Sequence, residues 1–102
     1  MTVLFSLNFI AVSKTGSERV PCRIAIDEPT RMVPPFAAYE ARMVLEGPEG
    51  FSRTMRGAHP FQVLELALFV IRTVLSLNAR RWTYEDLDGA PLDFSYEWPD
   101  RN

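Results

Sequence analysis

Apolar and polar residues alternate along most of the chain, which is the pattern of strands that bury one face. Four such runs precede a long apolar segment and two follow it. Short segments rich in Gly, Pro, Asp and Ser separate several of them, as expected for turns. The pattern therefore predicts six strands joined largely by hairpins. The runs cover residues 2–12, 19–27, 36–46, 51–56, 81–87 and 92–98.

Three local features qualify this outline. The run over residues 36–46 has helix as an alternative, because Ala, Glu, Arg, Met and Leu are good helix formers. A strand is favoured, since its apolar residues recur at every second position and residues 47–50 are typical of a hairpin loop. Pro21 has no N–H to donate and places its strand at an edge or a bulge. Residues 28–35 carry three prolines and predict a stiff loop.

The segment over residues 59–78 breaks the alternation and predicts one helix about 30 Å long. Its start is well marked. Gly57 ends the preceding strand, Pro60 suits the first helical turn, and Gln62 follows His59 by three residues as in a capping box. The chain is therefore predicted to be a single α+β domain over residues 1–102. We expect an antiparallel sheet of five to six strands in the order β-β-β-β-α-β-β, packed on one face by this helix.

The predicted helix has more apolar surface than one sheet can cover. Its polar residues fall within an arc of about 100° on a helical wheel, and Phe69 lies at the centre of that arc. The surplus is covered either by other parts of the chain or by a second chain. Because contiguous exposed apolar surface generally marks an interface, we expect a homo-oligomer contact through Leu66, Phe69, Val70 and Thr73. The polar residues are Gln62, Glu65, Arg72, Thr73 and Ser76.

Composition restricts the classes of partner. The chain has 102 residues, 47% of them hydrophobic, which suffices for one core. Its net charge of −2 gives no reason to expect nucleic acid or an anionic membrane as partner. Gln62, Glu65 and Arg72 interrupt the longest apolar stretch, so no membrane span is predicted. The single Cys22 suits a reducing compartment, and we expect a bacterial-type cytoplasmic protein.

Two groups of residues are candidates for chemistry at the helix start and in the core. Arg53, Arg56, Gly57 and His59 could form an anion or ligand site with the first-turn N–H groups of the helix. The alternative is a helix cap beside two solvated arginines. Cys22 belongs to an apolar row and is expected to be a core thiol rather than a nucleophile. One Cys and one His do not make a zinc site, so neither a metal nor a cofactor is predicted.

The C-terminal segment over residues 80–102 is acidic, with six acidic and three basic residues. It also carries four aromatic residues that could anchor a basic protein partner, as the surface of a toxin-neutralising immunity protein does. The alternative is that the aromatic residues are core and the acidic residues are solvated. The aromatic residues are Trp82, Tyr84, Tyr96 and Trp98.

Short motifs over about residues 22–77 carry a resemblance. The motifs are Ile24-x-Ile26-x-x-Pro29, Tyr39, Leu45-Glu46-Gly47 and Gly57-x-His59-x-x-Gln62-x-Leu64-x-Leu66-Ala67-Leu68. This part of the chain resembles a family of short bacterial α+β proteins whose function is unknown, although the family often has Asp where His59 stands. The resemblance implies the fold and no activity. We expect a non-enzymatic, self-associating protein-interaction domain; the rival is a small-ligand or anion-binding domain, an enzyme included, at the helix start.

Overall fold

The computed structural model describes residues 2–33 and 38–94. It confirms the predicted α+β fold, an antiparallel sheet packed against one long helix. The elements are β1 (Val3–Ser13), β2 (Arg19–Asp27), β3 (Thr30–Arg31), β4 (Tyr39–Glu46), β5 (Phe51–Gly57), α1 (Pro60–Asn78), β6 (Trp82–Glu85) and β7 (Pro91–Leu92). β1 pairs with β2 and β6, β2 with β4, β4 with β3 and β5, and β6 with β7.

The order differs from the predicted one by a short strand. β3 lies within residues 28–35, where a loop was predicted, and pairs with Tyr39 and Glu40 of β4. β3 lies on the same side of β4 as β2, beyond Met43, where the pairing of β2 with β4 ends. The strand interpretation of residues 36–46 is confirmed from Tyr39 onward. Of the strand predicted over residues 92–98, β7 contains the first residue, and residues 95–98 lie outside the described ranges.

The expectation that Pro21 places its strand at an edge or a bulge was wrong for the strand as a whole, since β2 lies between β1 and β4 and its pairing with β1 is regular at Pro21. The Ser13 N–H donates to the Glu18 carbonyl across the β1–β2 turn. Backbone groups alternate in direction along a strand, so the Pro21 nitrogen faces away from β1 and toward the side of β4. β4 pairs with β2 at Arg23–Ile26, and Pro21 lies beyond the end of that pairing. The proline therefore interrupts no ladder bond.

The core lies between one face of the sheet and one stripe of α1. Four helix residues spaced four apart are buried, because each turn brings the next onto nearly the same face. They pack on alternate residues of the strands, including Phe9 and Met43, which are fully buried. On this face of β1, Phe9 and Ala11 are buried, whereas Val3 and Phe5 are exposed. The buried helix residues are Val63, Ala67, Ile71 and Leu75.

The opposite face of the sheet carries charged side chains that form ion pairs, together with half-buried apolar residues of β1 and β4. Arg19 of β2 donates to Glu85 of β6 at 3.0 Å across the intervening β1. Arg56 lies 3.4 Å from Glu40, its partner in the β4–β5 register, and Arg23 lies 3.9 Å from Glu46. Opposite charges on a solvated sheet face stabilise it modestly. Among the described residues, five of the ten exposed large apolar side chains lie on the helix.

Tyr84 links the final hairpin to the end of the helix. Its ring contacts those of Phe9 and Phe94, with centroids 5.8 and 5.4 Å away. The Ala79 N–H donates to the Ser76 carbonyl at the helix end. The Leu75 carbonyl, one of the last carbonyls of the helix, accepts from the Tyr84 hydroxyl at 3.2 Å. Tyr84 therefore serves a backbone group that the helix itself leaves without a partner.

Replacing Tyr84 with phenylalanine is expected to lower the free energy of unfolding by about 1 kcal/mol at neutral pH, through the lost hydrogen bond. Burial raises the pKa of the Tyr84 hydroxyl to about 12. The folded protein thus keeps a proton that the unfolded chain loses above about pH 10, and wild-type stability falls by about 1.4 kcal/mol per pH unit between about pH 10 and about pH 12. The phenylalanine variant lacks this loss. Urea unfolding at about pH 7 and about pH 11 measures the difference in stability between the two proteins. If that difference is the same at both pH values, the raised pKa of Tyr84 is wrong.

Candidate interaction surface

The helix start is a cap. His59 is the N-cap residue, and its Nδ1 accepts from the Gln62 N–H at 3.2 Å. The Gln62 side-chain oxygen accepts from the Ala58 N–H at 2.6 Å, and the Val63 N–H donates to the His59 carbonyl at 3.3 Å. Pro60 has no N–H. These bonds leave few first-turn donors for an anion, which needs several converging N–H groups.

The two arginines of the predicted anion site lie on different faces of β5. Arg53 pairs in register with the buried Met43, on the helix side of the sheet, and its guanidinium lies 6.0 Å from the centre of the Phe51 ring. Arg56 lies on the opposite face with Glu40. The structure therefore does not bring Arg53 and Arg56 together beside His59.

Gly57, the fourth residue of that predicted site, has a packing role. A Cβ at this position would lie 2.9 Å from the Gln62 Oε1 and 3.2 Å from a Val63 methyl group. The helix start therefore packs directly on the backbone at the end of β5. A glycine at this position and the Gln62 side chain explain the helix-start motif by local packing and capping.

Cys22 is a core residue. Its thiol is buried and donates weakly to the Val20 carbonyl at 3.5 Å, and burial raises the pKa of the thiol. A buried thiol with a raised pKa is a poor nucleophile. Within residues 2–33 and 38–94, no group of three or more His, Cys, Asp or Glu side chains could hold a metal ion.

Several residues of the predicted acidic surface have structural roles. Glu85 pairs with Arg19, and the Asp86 carboxylate accepts from the Asp88 and Ala90 N–H groups at 2.8 and 2.9 Å, which shapes the β6–β7 turn. Tyr84 is buried in the core. Trp82 is half-buried, and Tyr96 and Trp98 lie outside the described residues. Of the four aromatic residues predicted to anchor a partner, Tyr84 is therefore part of the core.

The side of α1 that faces away from the sheet is exposed, and Phe69 lies at its centre. Leu66, Phe69, Thr73 and Leu77 are neighbours on the helical wheel, and we call them the outer face of α1. Glu65 and Ser76 separate this face from Phe61 and Leu68, which lie on the other flank of the helix. Phe61, Phe69 and Leu77 expose 66%, 62% and 65% of their surface, and Leu66 and Leu68 are exposed to a smaller degree. Single exposed apolar side chains are ordinary, whereas a contiguous group on one element is typical of an interface. The outer face is therefore the strongest contact surface in the described part of the chain.

The predicted oligomer interface falls on this surface. Leu66, Phe69 and Thr73 are exposed, and Val70 is half-buried at the margin of the sheet contact. A recess of about 270 Å³ lies beside Phe69. It shares Ser76 and Phe94 with a groove of about 350 Å³ between the helix end and the final hairpin. The apolar surface thus continues from the helix toward β7.

The first half of β1 is a second exposed apolar feature, which sequence reasoning missed. β6 pairs with β1 at Ile10–Ser13, and in the described structure no strand pairs with the same edge of Phe5–Phe9. Val3, Leu4 and Phe5 are exposed, and this edge carries no charged residue of the kind that normally prevents strand addition. The alternation within β1 could not reveal this, because it says nothing about the length of a neighbouring strand.

Among the described residues, α1 is the one helix whose length and composition would allow it to cross a bilayer, with a mean hydropathy of 1.6 over 18 residues. Helices that pack in a domain core pass the same test. Here one stripe of α1 packs on β4 and β5, which is the arrangement of a domain helix. The absence of a membrane partner stays a prediction.

Comparison of the chain with protein-family models, with curated proteins and with solved structures gives no match. The case for a function therefore depends on the residues and their geometry.

Proposed function

We propose that this chain is a non-enzymatic protein-interaction domain that self-associates through the outer face of α1. The observation that carries the proposal is the exposure of Leu66, Phe69 and Leu77 on a helix whose other side already fills the core. Large aromatic and aliphatic side chains of this kind supply most of the energy of protein interfaces. A second copy of the chain would remove them from water.

The remaining candidate residues support a structural rather than a catalytic role. His59 caps the helix, Cys22 lies in the core, and Asp86 holds a turn. The proposal places the protein in a bacterial-type cytoplasm. That part rests on Cys22 being the single cysteine of the chain and on the resemblance over residues 22–77 to short bacterial proteins.

Replacing Phe69 with glutamate is expected to abolish self-association, because the variant places a charge at the centre of the apolar contact. Sedimentation velocity of the wild type, from about 1 to about 300 μM, should show a monomer–dimer equilibrium, since a contact along one helix is small and gives at most modest affinity. The variant should remain monomeric over the same range.

Thr54→Glu is the matched control. Thr54 is exposed in β5 and pairs in register with Arg42 on the polar sheet face, so this variant adds the same charge far from the helix. It should dimerise like the wild type. A wild type that is monomeric throughout would overturn the proposal. A dimer that survives Phe69→Glu would also overturn it and would direct attention to the open edge of β1.

A further inference from the structure

We infer that the open edge of β1, the side of Phe5–Phe9 with which no described strand pairs, binds an extended segment of a basic protein that adds to the sheet as a further strand. This site goes beyond the proposed function, because it lies on the sheet rather than on the outer face of α1. Strand addition to an exposed sheet edge is a common mode of peptide recognition, in which backbone hydrogen bonds supply the affinity.

Ser6 and Asn8 direct their backbone N–H and carbonyl groups to the open edge. At the other end of β1, the Ser13 N–H donates toward β2 and the Lys14 N–H donates to the chain that enters β6. These directions alternate along a strand, and the register of β1 with β2 is regular from Phe5 to Val12. Even-numbered residues of this stretch therefore face away from β2. The pairing with β6 ends before it reaches Ser6 and Asn8, so the described chain offers them no strand on that side.

The side chains along the open edge fit a strand with apolar residues at every second position. Val3, Leu4 and Phe5 are exposed, and β1 carries no charged side chain. Successive side chains of a strand point to opposite faces, so an added strand has one row beside Phe5 on the helix side of the sheet and one row beside Ser6 on the other side. Apolar residues in the first row would cover Phe5, and polar residues in the second row would remain in water.

Both ends of the open edge are acidic. Glu28 follows β2, and its N–H donates to the Thr2 carbonyl just before β1 begins. Asp88 lies in the turn that follows β6, beyond the end of the pairing between β6 and β1. Both residues are exposed, and neither carboxylate belongs to an ion pair of the described chain. Cations of a bound segment would therefore meet these carboxylates without displacing an internal partner.

These charges select the class of segment that binds. A second copy of β1 would bring acidic ends toward acidic ends in either orientation, which is repulsive. Arg23, which lies across from Asn8 in β2, is compensated by Glu46 at 3.9 Å. An apolar alternating segment with Lys or Arg at both of its ends is complementary to the edge in backbone, side chains and charge.

A synthetic peptide with a Val-Thr-Val-Thr-Val core and two lysines at each end tests the inference against the full chain. Its matched control carries glutamates in place of the lysines. On binding, the lysine peptide should slow the amide hydrogen exchange of Ser6 and Asn8, measured by nuclear magnetic resonance. The exchange of Leu7 should not change, because Leu7 already pairs with Ile24 of β2. The glutamate peptide should bind at least about tenfold more weakly.

Two substitutions locate the binding on the open edge. Ser6→Pro removes an N–H that points to this edge and none that points to β2, and it should weaken binding of the lysine peptide about tenfold. Ser6→Ala is the matched control; it keeps the N–H and should bind like the wild type. If Ser6→Pro fails to fold, Asp88→Lys tests the charge instead. It should weaken the lysine peptide about threefold and strengthen the glutamate peptide by about the same factor.

The outcomes separate this site from the proposed dimer. Phe69→Glu leaves the open edge unchanged and should bind the lysine peptide like the wild type. The inference fails if the lysine peptide does not bind at millimolar concentration, or if both peptides bind equally well. Slow exchange of Ser6 and Asn8 before any peptide is added would also overturn it. The edge would then be covered by the chain itself or, where the protection rises with protein concentration, by a second copy.

Discussion

Leu75→Ala is expected to lower the free energy of unfolding by about 3 kcal/mol, the usual cost of removing a buried leucine side chain and leaving a cavity. Leu75 is 3% exposed and ends the stripe by which α1 packs on the sheet. It belongs to the same buried cluster as Phe9 and Tyr84. Urea unfolding followed by far-ultraviolet circular dichroism measures the loss.

Leu77→Ala is the matched control, because it removes the same atoms two residues further along the same helix. Leu77 is 65% exposed, so the variant should lose less than about 0.5 kcal/mol when both proteins are studied at low, monomeric concentrations. Equal losses from the two substitutions would show that the assignment of buried and exposed faces of α1 is wrong.

Gly47→Ala is the second substitution with a large expected effect, a loss of about 3 kcal/mol. Gly47 follows β4 with a φ of 134°, a conformation that side chains rarely adopt. A Cβ at this position would also lie 2.6 Å from the Cys22 Sγ. The sulfur is buried and packed in the core, so the added methyl group forces the hairpin away from β2.

Gly16→Ala separates backbone strain from the steric clash. Gly16 also has a positive φ, of 77°, but its added Cβ would meet no atom within 4 Å. This variant should lose only about 1 kcal/mol. Adding Cys22→Ala should then recover part of the loss caused by Gly47→Ala and none of the loss caused by Gly16→Ala. A double-mutant cycle of stabilities without coupling between Cys22 and Gly47 would contradict this explanation.

Leu75 and Gly47 lie away from the outer face of α1. Leu75→Ala and Gly47→Ala are therefore expected to leave the affinity of the dimer nearly unchanged while the fold persists, whereas Phe69→Glu should change association with little effect on stability. The two kinds of measurement distinguish a contact surface from a core.

The helix start was predictable because its determinants are local. His59, Pro60 and Gln62 lie within four residues of one another, and the structure confirms His59 as the cap. The separation of Arg53 from Arg56 was also available from the sequence. Residues three apart on a strand point to opposite faces, and both positions fall within one predicted strand.

The location of Pro21 could not be predicted in the same way. Proline excludes a ladder bond on one side only, and whether a neighbouring strand reaches that position depends on the length of β4. The open edge of β1 has the same origin, since the pairing of β6 with β1 ends at Ile10. Short-range patterns carry no information on where a distant strand ends.

The helix, its cap, the five longer strands and the identity of the surplus apolar residues follow from the sequence alone, because periodicity and capping are properties of neighbours in the chain. Which of those residues the sheet covers depends on how the helix packs in three dimensions. The fold buries Val63, Ala67, Ile71 and Leu75 and leaves Phe69 outside. The physical reason is that one flat sheet can contact one stripe of a cylinder, so the outer face of α1 is exposed unless a further surface covers it.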